Sequence, residues 1–118
     1  MIVASPSQEL KLDIIEHSHG TITLQELNDC LDDGVISILD IEGKLFTGIA
    51  TDEDSVTTFG FHGEISNTRI DKLDKFMENF AKENNLDIVR FGSTRQAWTK
   101  LLKAKDYKPV YTIYERKL

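Results

Sequence analysis

Cysteine and proline are almost absent from this chain, which holds one of the former and two of the latter. A lone Cys30 can close no intramolecular disulfide and build no cysteine-based zinc site. A reducing compartment is therefore expected, with Cys30 serving as a small buried apolar residue. Also missing is any apolar run near the roughly 18 residues that a membrane span needs, and residues 1–13 show no basic patch followed by an apolar stretch. The expectation is a cytoplasmic protein with no membrane partner. Repeats, low-complexity segments and linkers are lacking as well. With 118 residues, 40% of them hydrophobic and 29% charged, residues 1–118 read as one domain with one core.

Acid is what the chain has in excess, and it is unevenly spread. Residues 1–66 hold two lysines and thirteen carboxylates, whereas residues 67–118 hold twelve lysines or arginines and seven carboxylates. Such asymmetry can mark an anion-binding face, or it can draw the two halves together within one fold.

Periodicity then orders the elements. Residues 2–4 suit a short strand, and residues 8–17, after Pro6 and Ser7, place Leu10, Ile14 and His17 at helical spacing. Thr23 stands three residues before Glu26 in a capping-box arrangement, and Leu24, Leu27 and Leu31 mark one face of a helix that ends at Gly34. Residues 35–41, 44–50 and 56–61 are rich in β-branched and apolar side chains; the turn at Glu42-Gly43 and the acidic residues 51–55 separate them into an antiparallel meander stopped by His62-Gly63. From Asn67 to Asn84 the residues Ile70, Leu73, Phe76, Met77, Phe80 and Ala81 recur three or four apart, which predicts a long helix with one apolar stripe. Residues 86–91 read as a strand, Ser93 or Thr94 as the cap of a further helix burying Ala97, Trp98, Leu101 and Leu102, and residues 110–114 as a last strand.

Helix, three-strand meander, long helix, strand, helix, strand is an order that resembles the GNAT superfamily of N-acetyltransferases. Leu86-Asp-Ile-Val-Arg-Phe91, then Thr94-Arg-Gln-Ala-Trp-Thr-Lys-Leu-Leu-Lys-Ala-Lys-Asp-Tyr107, then Val110-Tyr-Thr-Ile-Tyr114 look like that family's fifth strand, fourth helix and final strands. The family's helix pattern Asn-x-x-Ala-x-x-Leu-Tyr falls on Arg95, Trp98, Leu101 and Leu102, and its Gly-Phe on Asp106-Tyr107. The resemblance implies an α+β fold, with a mixed, mostly antiparallel sheet flanked by helices. It also implies acyl-coenzyme A bound where two central strands splay, its pyrophosphate held by backbone N–H groups at the start of the long helix, where unpaired amides and the helix dipole favour an anion.

The matching loop departs from that pattern. The family places small residues there so that phosphates can approach the main chain, whereas His62-Gly63-Glu64-Ile65-Ser66-Asn67-Thr68-Arg69 offers only Gly63, with a repelling Glu64 and a bulky Ile65. The tyrosine that protonates the departing thiolate in many members is replaced by Leu102, which cannot donate. Tyr111 and Tyr114 are the remaining catalytic candidates on the last strand, with packing as their alternative use. His62 is a candidate general base, since an imidazole titrates near neutrality. Phe61, Gly63, Thr68 and Arg69 are the candidate contacts for a cofactor.

Metal chemistry is not expected: Glu16, His17 and His19 read as an exposed helix end, and Asp52-Glu53-Asp54 lacks the spacing, glycine and terminal glutamate of a calcium loop. No aromatic-and-basic pattern of a nucleic-acid module is present. The expected function is that of a non-catalytic acetyltransferase-fold protein, binding no cofactor and serving as a protein-binding or structural module. Its size and degenerate loop look like those of the small acetyltransferase-like proteins of tailed bacteriophages, including internal virion proteins, which would place it in host cytoplasm or virion. A protein partner would be reached through an exposed strand edge or the vacant cleft, and self-association is a further expectation. The alternative is a divergent N-acetyltransferase that moves an acetyl group from acetyl-CoA to an amine.

Overall fold

The computed structural model describes residues 2–18, 22–91 and 116. Seven elements follow in order: α1 (Gln8–His17), α2 (Leu24–Asp33), β1 (Ile36–Ile41), β2 (Leu45–Thr51), β3 (Ser55–Gly63), α3 (Asn67–Glu83) and β4 (Ile88–Phe91). The helix and strand expected beyond Phe91, with Arg95, Trp98, Leu101, Leu102, Tyr107, Tyr111 and Tyr114, lie outside the described residues.

Each helix starts where its cap stands. Ser7 Oγ accepts from Leu10 N, Thr23 and Glu26 close the capping box at α2, and Ser66 Oγ accepts from Arg69 N at α3. The four strands lie in the order β1-β2-β3-β4. β1 pairs antiparallel with β2 and β2 with β3, as the short turns allow, whereas β3 and β4 are parallel. A parallel pair requires a long crossover, and the 17 residues of α3 supply it. The strand expected at residues 2–4 is reduced to one bridge, Ile2 to Leu39.

Strand alternation sends side chains to two faces. On one face Leu39, Ile41, Leu45, Ile49, Val56 and Phe61 pack against Ile70, Leu73, Met77 and Ala81 of α3, all buried. Phe76 and Phe80, placed by periodicity on the same stripe, stack on each other and are only partly buried at its flank. The opposite face carries α1 and α2, which bury Ile14 and Leu27 with Ile36 and Ile38. At about 1.5–3 kcal/mol for each such side chain taken from water, both faces contribute to holding the sheet.

Three local readings change. β3 does not stop at Phe61 but runs on through His62 and Gly63, paired with Phe46 and Leu45, so His62 sits on a strand rather than in a loop. His17, expected in an exposed helix end, is partly buried, and its Nδ1 lies 2.8 Å from the carbonyl of Asp13 one turn back. Cys30, expected to be buried, is only partly so.

Candidate functional site

β3 brings most of the candidates together because it is irregular. Phe46 pairs with His62 but Gly48 pairs with Phe59, so Thr47 faces both Gly60 and Phe61: a β-bulge. Gly60 holds φ +66, and a Cβ there would lie 2.4 Å from the Ile14 carbonyl oxygen of α1. The bulge therefore serves two ends at once, a left-handed backbone and the close seat of a helix. Thr47 pins it, with its hydroxyl 3.0 Å from the carbonyls of Phe59 and Gly48.

Past the bulge, neighbouring residues part company. Phe61 points to the α3 face, 5% exposed, and stacks on Phe91 with ring centroids 6.1 Å apart. As a cofactor candidate, Phe61 has its side chain committed to the core. His62 points to the α1 face, where its Nε2 lies 3.4 Å from Asp13 Oδ2 and its ring 5.1 Å from that of His17. A carbonyl only accepts, so His17 Nδ1 carries the proton that bonds Asp13 O. Two imidazoles and one carboxylate from two elements thus meet at the end of β3. Such a pairing can orient a base, but among the described residues no three His, Cys, Asp or Glu side chains are arranged to hold a metal ion.

Gly63 closes the strand. With φ +111, a Cβ at Gly63 would lie 2.0 Å from the Lys44 carbonyl, which accepts the next amide, Glu64 N, at 2.8 Å. The missing side chain is thus explained by contact with β2, without reference to any ligand.

At the start of α3, Ser66 occupies the cap, and the amides of Asn67 and Thr68 have no intrahelical acceptor. Thr68 is exposed on this first turn. Arg69 is turned away from that opening. Its side chain is 14% exposed; Nη1 donates to Glu64 O at 3.5 Å and lies 3.9 Å from Glu64 Oε2, while Nε approaches Glu42 Oε2 at 3.4 Å without the alignment of a hydrogen bond. Lys72 bonds the same Glu42 carboxylate. That bond holds the Glu42 carboxyl below its ordinary value of 4.5, and the charges of Lys72, Arg69 and Lys44 act in the same direction against an opposing contribution from burial. Glu42 itself sits at φ 60 in the β1–β2 turn, a conformation that side chains other than Asn and Gly rarely adopt.

Farther along β3, Thr58 Oγ1 is fully buried with no hydrogen-bond partner among the described residues, at the last described pair between β3 and β4. Asp52, once compared with a calcium loop, accepts from Glu53 N as a turn residue does. Asp13 and Glu42 were not singled out from sequence, because what they touch is remote along the chain. The bulge did leave a signal, a glycine inside a strand of β-branched and aromatic residues.

The described residues make this an α+β protein: a four-stranded mixed sheet with helices on both faces and its candidate groups gathered at the β3–α3 junction and under α1. No described helix is long and apolar enough to cross a membrane. Comparison with models of protein families, with curated proteins and with solved structures finds no match for the chain.

Proposed function

We propose that the chain is an acetyltransferase-like scaffold that serves as a protein-binding or structural module and does not transfer acetyl groups. The observation that carries the reading is the electrostatics at the start of α3. An anionic cofactor there would meet the carboxylates of Glu42 and Glu64, while the nearest guanidinium, Arg69, is already engaged by both. Gly63 is a glycine because Lys44 O lies against it, so it offers no sign of a phosphate cradle. The order of described elements, a meander followed by a helix and a parallel strand, supports the scaffold half of the reading. A setting in host cytoplasm or in a bacteriophage virion is proposed from the organisation of the sequence alone.

Calorimetric titration with acetyl-CoA, paired with thermal denaturation, tests the reading. The expected outcome is no heat and no change in Tm at about 1 mM ligand; a ligand present at 100 times its Kd would stabilise by about 2.7 kcal/mol and is easily seen. Gly63→Ala is a poor control, since the Lys44 contact alone would unsettle the strand. Arg69→Gln and Thr68→Ala are the better probes.

One observation favours the alternative of a divergent N-acetyltransferase: the pairing of His62 with Asp13, which would orient an imidazole as general base. Acetyl-CoA-dependent thiol release with an amine, lost in His62→Gln while the fold is kept, would establish that reading and overturn the first.

A further inference from the structure

α1 is held to the sheet by little apolar surface. Of its ten residues only Ile14 is fully buried, while Leu10 and Ile15 are half-buried and Leu12 is exposed. Ile14 anchors the helix where Gly60 lets the two main chains meet, since a Cβ on Gly60 would lie 2.4 Å from the Ile14 carbonyl oxygen. The other tie is polar, and every side chain in it titrates. His62 Nε2 of β3 lies 3.4 Å from Asp13 Oδ2 of α1, the His17 ring lies 5.1 Å from the His62 ring, and His17 Nδ1 is bonded to Asp13 O. The side chains of His62 and Asp13 are 36% and 32% exposed, so solvent protons reach both.

Other charges stand apart from this cluster. Among the described residues, Asp13 is the one carboxylate within ion-pair distance of either imidazole. The remaining charged residues of α1 are Glu9 and Glu16, both exposed, and Lys11, which donates to Asn28 of α2. Of the acids of α2, Glu26 and Asp29 bond Thr23 and Gln25, and Asp32 and Asp33 stand at the end that leads into β1. From β2 the neighbour is Phe46, its ring 6.4 Å from that of His62, and β2 holds no titratable side chain. α3 lies on the opposite face, where Arg69 is engaged by Glu42 and Glu64. Arg90, the one charged residue of β4, donates to Ser55 at the far end of β3.

We propose that Asp13, His17 and His62 form a pH-sensitive clasp that seats α1 on β3 and is tightest when one added proton is shared by the two rings. A proton on His62 turns its contact with Asp13 into an ion pair that joins helix to strand. That pair exists only while the helix is seated, so acidification from about pH 8 drives seating. His17 Nδ1 already holds a proton, and a further one on Nε2 makes this ring a cation as well. Two cations then face each other across the seam with one carboxylate between them, which makes the second proton harder to add than the first and loosens what the first had tightened. With a single fully buried side chain on α1, no large apolar contact masks the change.

The test is amide hydrogen exchange of the full chain, followed by NMR between about pH 8 and about pH 5 and expressed as protection factors, so that the intrinsic pH dependence of exchange is divided out. Protection of the Ile14, Ile15 and His17 amides, taken relative to Leu73 and Met77 of α3, is expected to rise about two- to fivefold on acidification and then to turn down. His62→Gln and Asp13→Asn each keep a hydrogen-bonding side chain but remove one charge of the pair, and either should give a flat profile. His17→Gln should rise and stay high. His19, the third histidine, is present in every variant, so differences between profiles do not come from it. A flat profile in the native chain, an equal rise in His62→Gln or Asp13→Asn, an equal change in α3, or a downturn that persists in His17→Gln overturns the proposal. Should one of the two charge-removing variants fail to fold, the other decides. Acetyl-CoA binding and turnover are separate readouts, so the clasp and the reading of the chain as a non-catalytic module stand or fall independently.

Discussion

Gly60 and Gly63 lie three residues apart on one strand, yet each is glycine because of a different neighbour. Above Gly60 is the carbonyl of Ile14, and beside Gly63 that of Lys44. Gly60→Ala combines a left-handed backbone with a clash against helix main chain that cannot yield as a flexible side chain would. A loss of about 2–4 kcal/mol in urea denaturation is expected, with α1 loosened first; an unchanged midpoint would mean that α1 does not rest on the bulge. Thr58 presents the opposite case, a hydroxyl buried without a partner among the described residues. Removing the polar atom while keeping the shape should be neutral or stabilising by up to about 1 kcal/mol in Thr58→Val, and a clear destabilisation would reveal a bond to its hydroxyl.

Among the elements, the turn between β1 and β2 and the first turns of α3 act as one unit through Glu42. The folded state holds the Glu42 carboxyl below its ordinary 4.5 by the Lys72 hydrogen bond and the neighbouring cations. A depressed carboxyl stabilises the fold above its unfolded value, and that contribution disappears as pH falls through the lower folded value. Thermal denaturation between about pH 6 and pH 2 should therefore decline more steeply for the native chain than for Glu42→Gln; parallel curves would show that the pairing is idle. At α2 the cap is reciprocal, with Thr23 accepting from Glu26 N at 3.2 Å and the Glu26 side chain returning to Thr23. Thr23→Ala should cost about 1 kcal/mol, read from the denaturation midpoint. Capping, periodicity and turn chemistry are local, which is why α2, α3 and the meander could be read from the residues alone. α1 was harder to read, since Leu10, Leu12, Ile14 and Ile15 spread around the helix and only Ile14 is buried.

For the molecule as a whole, one sheet is shared by two helical layers, so neither layer can leave without exposing the apolar face beneath it. Heat denaturation followed by far-ultraviolet and near-ultraviolet circular dichroism is expected to give coincident single transitions. A separate early transition would mean that the α1–α2 layer comes away from the sheet by itself. The uneven charge also acts at this scale. Lys72 and Arg69 of the second half are drawn onto Glu42 of the first. Charge asymmetry was evident in the sequence, but which residues it joined depended on the fold, which brings Arg69 and Lys72 to Glu42.

By itself the amino-acid sequence determined α2, α3 and the three-strand meander, because hydrophobic period, caps and turn residues act over a few positions. It also determined that no cysteine chemistry is available beyond a single thiol. Only tertiary structure decided that β3 bulges at Gly60, that His62 meets Asp13 and His17, and that Arg69 is spent on Glu42 and Glu64. Those contacts join residues up to 49 positions apart, His62 with Asp13 being the longest. A separation of that kind leaves no periodic trace; it is fixed when helices settle on a sheet whose register and irregularity set which side chains face each other.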